Sequence, residues 1–133
     1  MTEVRKGYMG WELSQGVREA LLEKFPPAYP RVVAHHCTWK FGIDSTTALP
    51  TETSAIVVGW VDDNRGLQAL VLSIGGTTTR PDGGTYHITW SLNPPRKPVE
   101  SNEVIKQRGW DKVSPPVRFS LVPKFFPFGR KTG

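Results

Sequence analysis

Most of the chain is written in short β-branched and aromatic runs, each bounded by Gly, Pro, Asn or Asp, which is the signature of strands joined by turns. Residues 7–11 (GYMGW) open as a short strand or loop. Residues 54–61 (SAIVVGWV) and 67–74 (LQALVLSI) read as two strands around the turn 62–66 (DDNRG). Residues 31–41 and 85–92 (TYHITWSL) are two further strands, and 116–122 is the last strand candidate. Helical spacing occurs in two places. Ser14 caps a helix whose apolar stripe is Val17, Ala20, Leu21 and Leu22, stopped by Pro26-Pro27, and a short helix over 101–108 ends at Gly109. Residues 45–53 and 75–84 (GGTTTRPDGG) are loop and turn chemistry. The order β–α–β–β–β–β–α–β predicts an α+β fold with a mostly antiparallel sheet and two helices outside it.

At 133 residues one domain over the whole chain is the expectation, with a real core and no need of staples. Apolar residues at 38% and charged residues at 22% are ordinary for a folded domain. No run approaches a membrane span, and the N-terminus lacks the apolar block of a signal peptide, so no membrane partner is expected. A lone cysteine, Cys37, excludes an internal disulfide framework and fits a reducing, cytoplasmic setting. Seventeen Lys and Arg against twelve Asp and Glu give a net charge of +5, which leans towards a polyanionic partner such as a nucleotide.

The strongest signal is a tetrapeptide that occurs twice. His36-Cys37-Thr38-Trp39 and His87-Ile88-Thr89-Trp90 each lie in a predicted strand. Strands alternate faces, so His36 and Thr38 share one face, about 7 Å apart, while Cys37 and Trp39 turn to the other. The second copy has the same parity. Each off-face pair suits a core, which leaves the His and Thr faces open. Brought to one cleft, two imidazoles would flank a common point with a hydroxyl beside each. That arrangement suits a phosphodiester: one neutral imidazole takes a proton from the attacking oxygen, and the opposite imidazolium gives one to the leaving oxygen. The threonine hydroxyls would donate to non-bridging phosphate oxygens. The scheme calls for no metal and no cofactor. Zinc is a competing use of the histidines, but no CxxC or HxxxH spacing supports it.

Lys40 and Ser91 continue the two polar faces and are read as further phosphate contacts. Trp110 is either a core lid or a base-stacking platform, and Glu103 either an exposed helix acid or a purine reader. Arg80, in a hairpin loop that matches no phosphate-loop pattern, is within reach of a substrate. His35 faces away from His36 as a packing residue. The tail, with Lys124, Arg130, Lys131, Phe125, Phe126 and Phe128, is expected to fold over a sheet edge or bind a partner.

Paired H-x-T motifs about fifty residues apart in a small α+β chain resemble the 2H phosphoesterase superfamily, over roughly Tyr8 to Val122. The resemblance implies a bilobal, pseudo-twofold fold with a central cleft. It also implies metal-independent cleavage of nucleotide phosphodiesters, with His36 and His87 as the acid/base pair and Thr38 and Thr89 as phosphate ligands. Trp39 and Trp90 depart from the aliphatic residue that often follows the threonine in that family. A narrower resemblance, carried by GYMGWELSQGVREALLEKFPP and VVAHHCTWKFG, is to the phage anti-CBASS nucleases. It implies a cyclic di- or trinucleotide substrate, a host cytoplasmic setting, no obligate protein partner, and Tyr8 stacking on a base at the cleft mouth. The alternatives left open are a 2′,3′-cyclic or RNA-end phosphodiesterase and a non-catalytic nucleotide-binding module.

Overall fold

A computed structural model describes residues 4–129. The fold is α+β, with eight antiparallel strands and two helices. The strands are β1 (Lys6–Glu12), β2 (Arg31–Val32), β3 (His36–Asp44), β4 (Ser54–Asp62), β5 (Leu67–Ser73), β6 (His87–Leu92), β7 (Asp111–Ser120) and β8 (Val122–Pro127); the helices are α1 (Gln15–Lys24) and α2 (Glu100–Arg108). The sheet runs β7-β4-β5-β6-β3-β1-β8, with β2 on β6. No helix among the described residues is long and apolar enough to cross a membrane.

Both helices stop and start where the sequence expects. The Ser14 hydroxyl accepts from the Val17 amide at the head of α1. Gly109, at φ +68°, closes α2 in the left-handed region that glycine enters without strain. The helices lie on opposite faces of the sheet. Leu21 of α1 joins Trp11, Cys37, Leu70, Leu72, Ile88 and Trp90 in the larger core. Ile105 of α2 packs with Val61, Leu67, Ala69, Val71 and Leu92 on the other face. Burying either set stabilises the domain at roughly 25 cal/mol per Å² of apolar surface.

Three elements differ from expectation. The strand expected over 31–41 is broken at residues 33–35, where Ala34 takes φ +42°. The last strand candidate starts earlier, at Asp111, and includes Pro115 and Pro116. These are tolerated because β7 is an edge strand, where a missing N–H breaks no ladder on its open side. The expected tail supplies a further strand, β8, which pairs with β1 and closes the opposite edge of the sheet. Arg130 and Lys131 lie outside the described residues.

Candidate active site

The two H-x-T strands are neighbours in the middle of the sheet. Cys37 of β3 lies opposite Ile88 of β6, and both side chains are fully buried in the larger core. The flanking residues therefore project together from the opposite face. His36, Thr38, His87 and Thr89 line one cavity of about 590 Å³, together with Tyr8, Val33, Phe41, Arg80, Asp82, Pro98, Val99 and Asn102. That volume is of the size small-molecule sites take.

The two imidazoles sit in different surroundings. His87 is 9% exposed, and its Nδ1 lies 2.8 Å from the Thr85 carbonyl oxygen. Burial holds its pKa below the ordinary histidine value, and the Arg80 guanidinium pushes the same way against the Thr85 carbonyl. His36 is half-buried, with Tyr8 and Phe126 rings 5.4 and 5.1 Å away. Burial, then His35 and His87, push its pKa down to about 4, against an opposing pull from Glu12. The threonines differ as well. Thr38 makes no side-chain hydrogen bond among the described residues. The Thr89 hydroxyl donates to the Pro98 carbonyl and lies 2.8 Å from the Ser101 hydroxyl, so it ties β6 to the head of α2.

His35 is not a packing residue. Its ring is exposed, its Nδ1 faces His36 Nδ1 at 3.0 Å, and its Nε2 lies 3.2 Å from a Glu12 carboxylate oxygen. Strand parity does not apply to it, because the positive φ at Ala34 turns the chain just before β3 begins. Glu12 faces the same way because it is paired with His36 across the β1–β3 ladder, and Lys124 of β8 also holds its carboxylate.

Lys40 and Ser91 are not at the cavity, for the same reason in both strands. The β1–β3 register steps from Gly10 with Thr38 to Met9 with Lys40, so Trp39 is bulged out of the alternation. The β5–β6 register steps from Ala69 with Thr89 to Gln68 with Ser91, so Trp90 is bulged likewise. Beyond each bulge the faces exchange. Phe41 takes the place read for Lys40 at the cavity, while the Lys40 ammonium sits 4.4 Å over the Trp39 ring. Ser91 is fully buried, donating to Gln68 Oε1 and accepting from the Tyr29 amide.

Trp110 is also elsewhere. It precedes β7, three strands from β6, and its ring covers Gly59, where a methyl group would collide with it. It is 41% exposed, so it is neither a core lid nor part of the cavity. Glu103 accepts from Gln107 in the exposed face of α2 and borders an adjoining hollow on the far side of Arg80. The neighbour that reaches the cavity is Asn102, which accepts from Arg80. Arg80 is nearly covered, and Asp82 takes two of its N–H groups at 3.1 Å. Tyr8 lines the cavity, but its ring is stacked between Phe126 at 4.9 Å and Phe41 at 5.9 Å, so its faces are taken by this chain's own side chains.

Besides the motif residues, the cavity thus draws on Phe41 and Arg80, with Glu12 and His35 standing behind His36. Phe41 is 67% exposed and Val99 70% exposed, so the rim is apolar around a polar floor. Comparisons with family models, with curated proteins and with solved structures find no match for this chain.

Proposed function

We propose that the cavity cleaves a nucleotide phosphodiester without a metal, using His36 and His87 to move the protons. The observation that carries this reading is the convergence of both H-x-T pairs on one cavity from adjacent strands. A phosphate seated between the rings has a proton acceptor on one side and a donor on the other. Thr38 offers its hydroxyl to a non-bridging oxygen, and Arg80 keeps N–H groups beyond those Asp82 uses. A neighbouring 2′-hydroxyl or a water attacks, and the leaving sugar oxygen departs as an alcohol. The exposed Phe41 ring, with Phe128 5.2 Å away, suits a base splayed from the phosphate, since stacking contributes about 1–3 kcal/mol per base. A cyclic di- or trinucleotide, with two or three bases around one ring of phosphates, is the favoured substrate.

The test is incubation with a panel of cyclic oligonucleotides and a 2′,3′-cyclic nucleotide in excess EDTA, with products separated by chromatography. Turnover of the cyclic dinucleotide is expected, and His36→Ala or His87→Ala should lower it by roughly 10²–10⁴-fold. Wild-type rates in either variant, or tight binding with no product, would overturn the reading.

A further inference from the structure

We propose that Glu12 and His35 form a proton relay that loads His36 as the general acid and leaves His87 as the base. The proposal rests on the phosphodiesterase reading and gives two alike side chains different work. The Thr85 carbonyl only accepts, so His87 carries its hydrogen on Nδ1 and keeps the lone pair on Nε2. Buried and beside Arg80, that ring rests neutral, as a base must.

His36 is held in another way. One hydrogen has to lie between its Nδ1 and that of His35. In the loaded state His35 carries hydrogens on both nitrogens, with its charge set against the Glu12 carboxylate. His35 then donates from Nδ1 to His36 Nδ1, and His36 holds its single hydrogen on Nε2. As the P–O bond breaks, the Nε2 proton passes to the leaving oxygen and the His35 proton moves onto His36 Nδ1. The leaving group departs as an alcohol. His35 ends neutral with its hydrogen on Nε2, and His36 ends neutral with its hydrogen on Nδ1. His87 meanwhile takes the proton of the attacking oxygen and returns it to solvent after release.

The relay answers a difficulty in the site. An acid whose own pKa is pushed to about 4 is rarely protonated near neutrality, yet here the charge never has to rest on the His36 ring. It rests on His35, whose side chain is 50% exposed and can reload from water. The charged and titratable groups facing the pair are Glu12 and Tyr8 of β1, Lys124 of β8 and His87 of β6; Arg80 and Asp82 line the cavity that His36 faces. His35 and Glu12 are thus positioning residues that act through His36.

The experiment compares cyclic di-AMP with its analogue carrying sulfur at the bridging 5′ position, using the full chain. A thiolate leaves without a proton, so the analogue has no need of a general acid. His35→Asn and Glu12→Gln should slow the oxygen substrate by at least ~10-fold and the sulfur analogue by less than about 3-fold. His87→Ala should slow both, and His35→Asn should melt at the wild-type temperature. Equal losses on both substrates, or no loss on oxygen, would overturn the relay while leaving the phosphodiesterase reading intact. A wild-type protein that turns over neither probe defeats that reading, and the relay with it.

Discussion

Two threonines with the same place in the same motif hold different positions in the hydrogen-bond network. Thr38 has its hydroxyl in hand, whereas Thr89 spends its hydrogen between Pro98 and Ser101. Thr38→Val should therefore cut turnover by about 10–100-fold, the loss expected for one transition-state donor or somewhat less, with stability unchanged to within about 0.5 kcal/mol. Thr89→Val should show first in urea unfolding, as a loss of about 1–2 kcal/mol, because Ser101 loses a buried partner. If both variants unfold like wild type, the distinction is wrong. At this scale the sequence told a good deal: parity puts His36 with Thr38 and His87 with Thr89, while the pairing of Cys37 with Ile88 brings the two pairs to one side. It misled for His35, since a single positive φ at Ala34 rotates that residue out of the alternation, and Ala is a residue from which no such turn is read.

The element scale explains why the same extrapolation failed twice. The expectation for Lys40 and Ser91 counts two residues past each threonine, and both counts cross a bulge at a tryptophan. A bulge is a property of the pairing between strands, so a run of residues read alone contains no mark of it. The edge strand β8 was obscured by its prolines and its short length, and its partner β1 lies over a hundred residues away in the chain. Once formed, β8 backs the site, since Phe126 is 9% exposed and stacks on Tyr8 within 5.1 Å of His36. Phe126→Ala should cost about 3–4 kcal/mol in chemical denaturation, at the lower end of the range for truncating a packed aromatic, and Phe126→Leu should recover most of it. A loss under about 0.5 kcal/mol would mean that β8 contributes little to the fold.

For the molecule as a whole, the class and six strand segments were legible against the eight strands found, because β-branched runs and turn residues are local signals. The order of strands was not. The sequence offers Trp110 as a core lid or a base-stacking platform, and only the placement of β7 at the far edge puts it out of range. The histidines also set how stability follows pH. His36 and His87 both titrate below the ordinary value in the folded chain, His36 at about 4, while the unfolded chain protonates near the ordinary value of 6.5. Between those values the unfolded state binds more protons, so stability is full above about 6.5 and falls as pH drops towards 4. For His36 the loss is roughly 1–3 kcal/mol, allowing for solvent screening at a half-buried ring. Thermal melts at pH 7.5 and 5.0 should show it, and His36→Gln should flatten the dependence. A melting temperature that rises on acidification over this window would contradict the burial of both rings.

Between β3 and β6 the ladder registers at Cys37 with Ile88, and the chain just before β3 continues along β6 through the Ala34 and Val33 amides and the pairs of Val32 with Ser91 and Arg31 with Leu92. The seam at the centre of the sheet is thus interrupted once, where Ala34 takes its positive φ and His35 turns off the ladder. On the proposed reading, an anion held by both strands spans that interruption, so a filled cavity should make the middle of the sheet harder to open than an empty one.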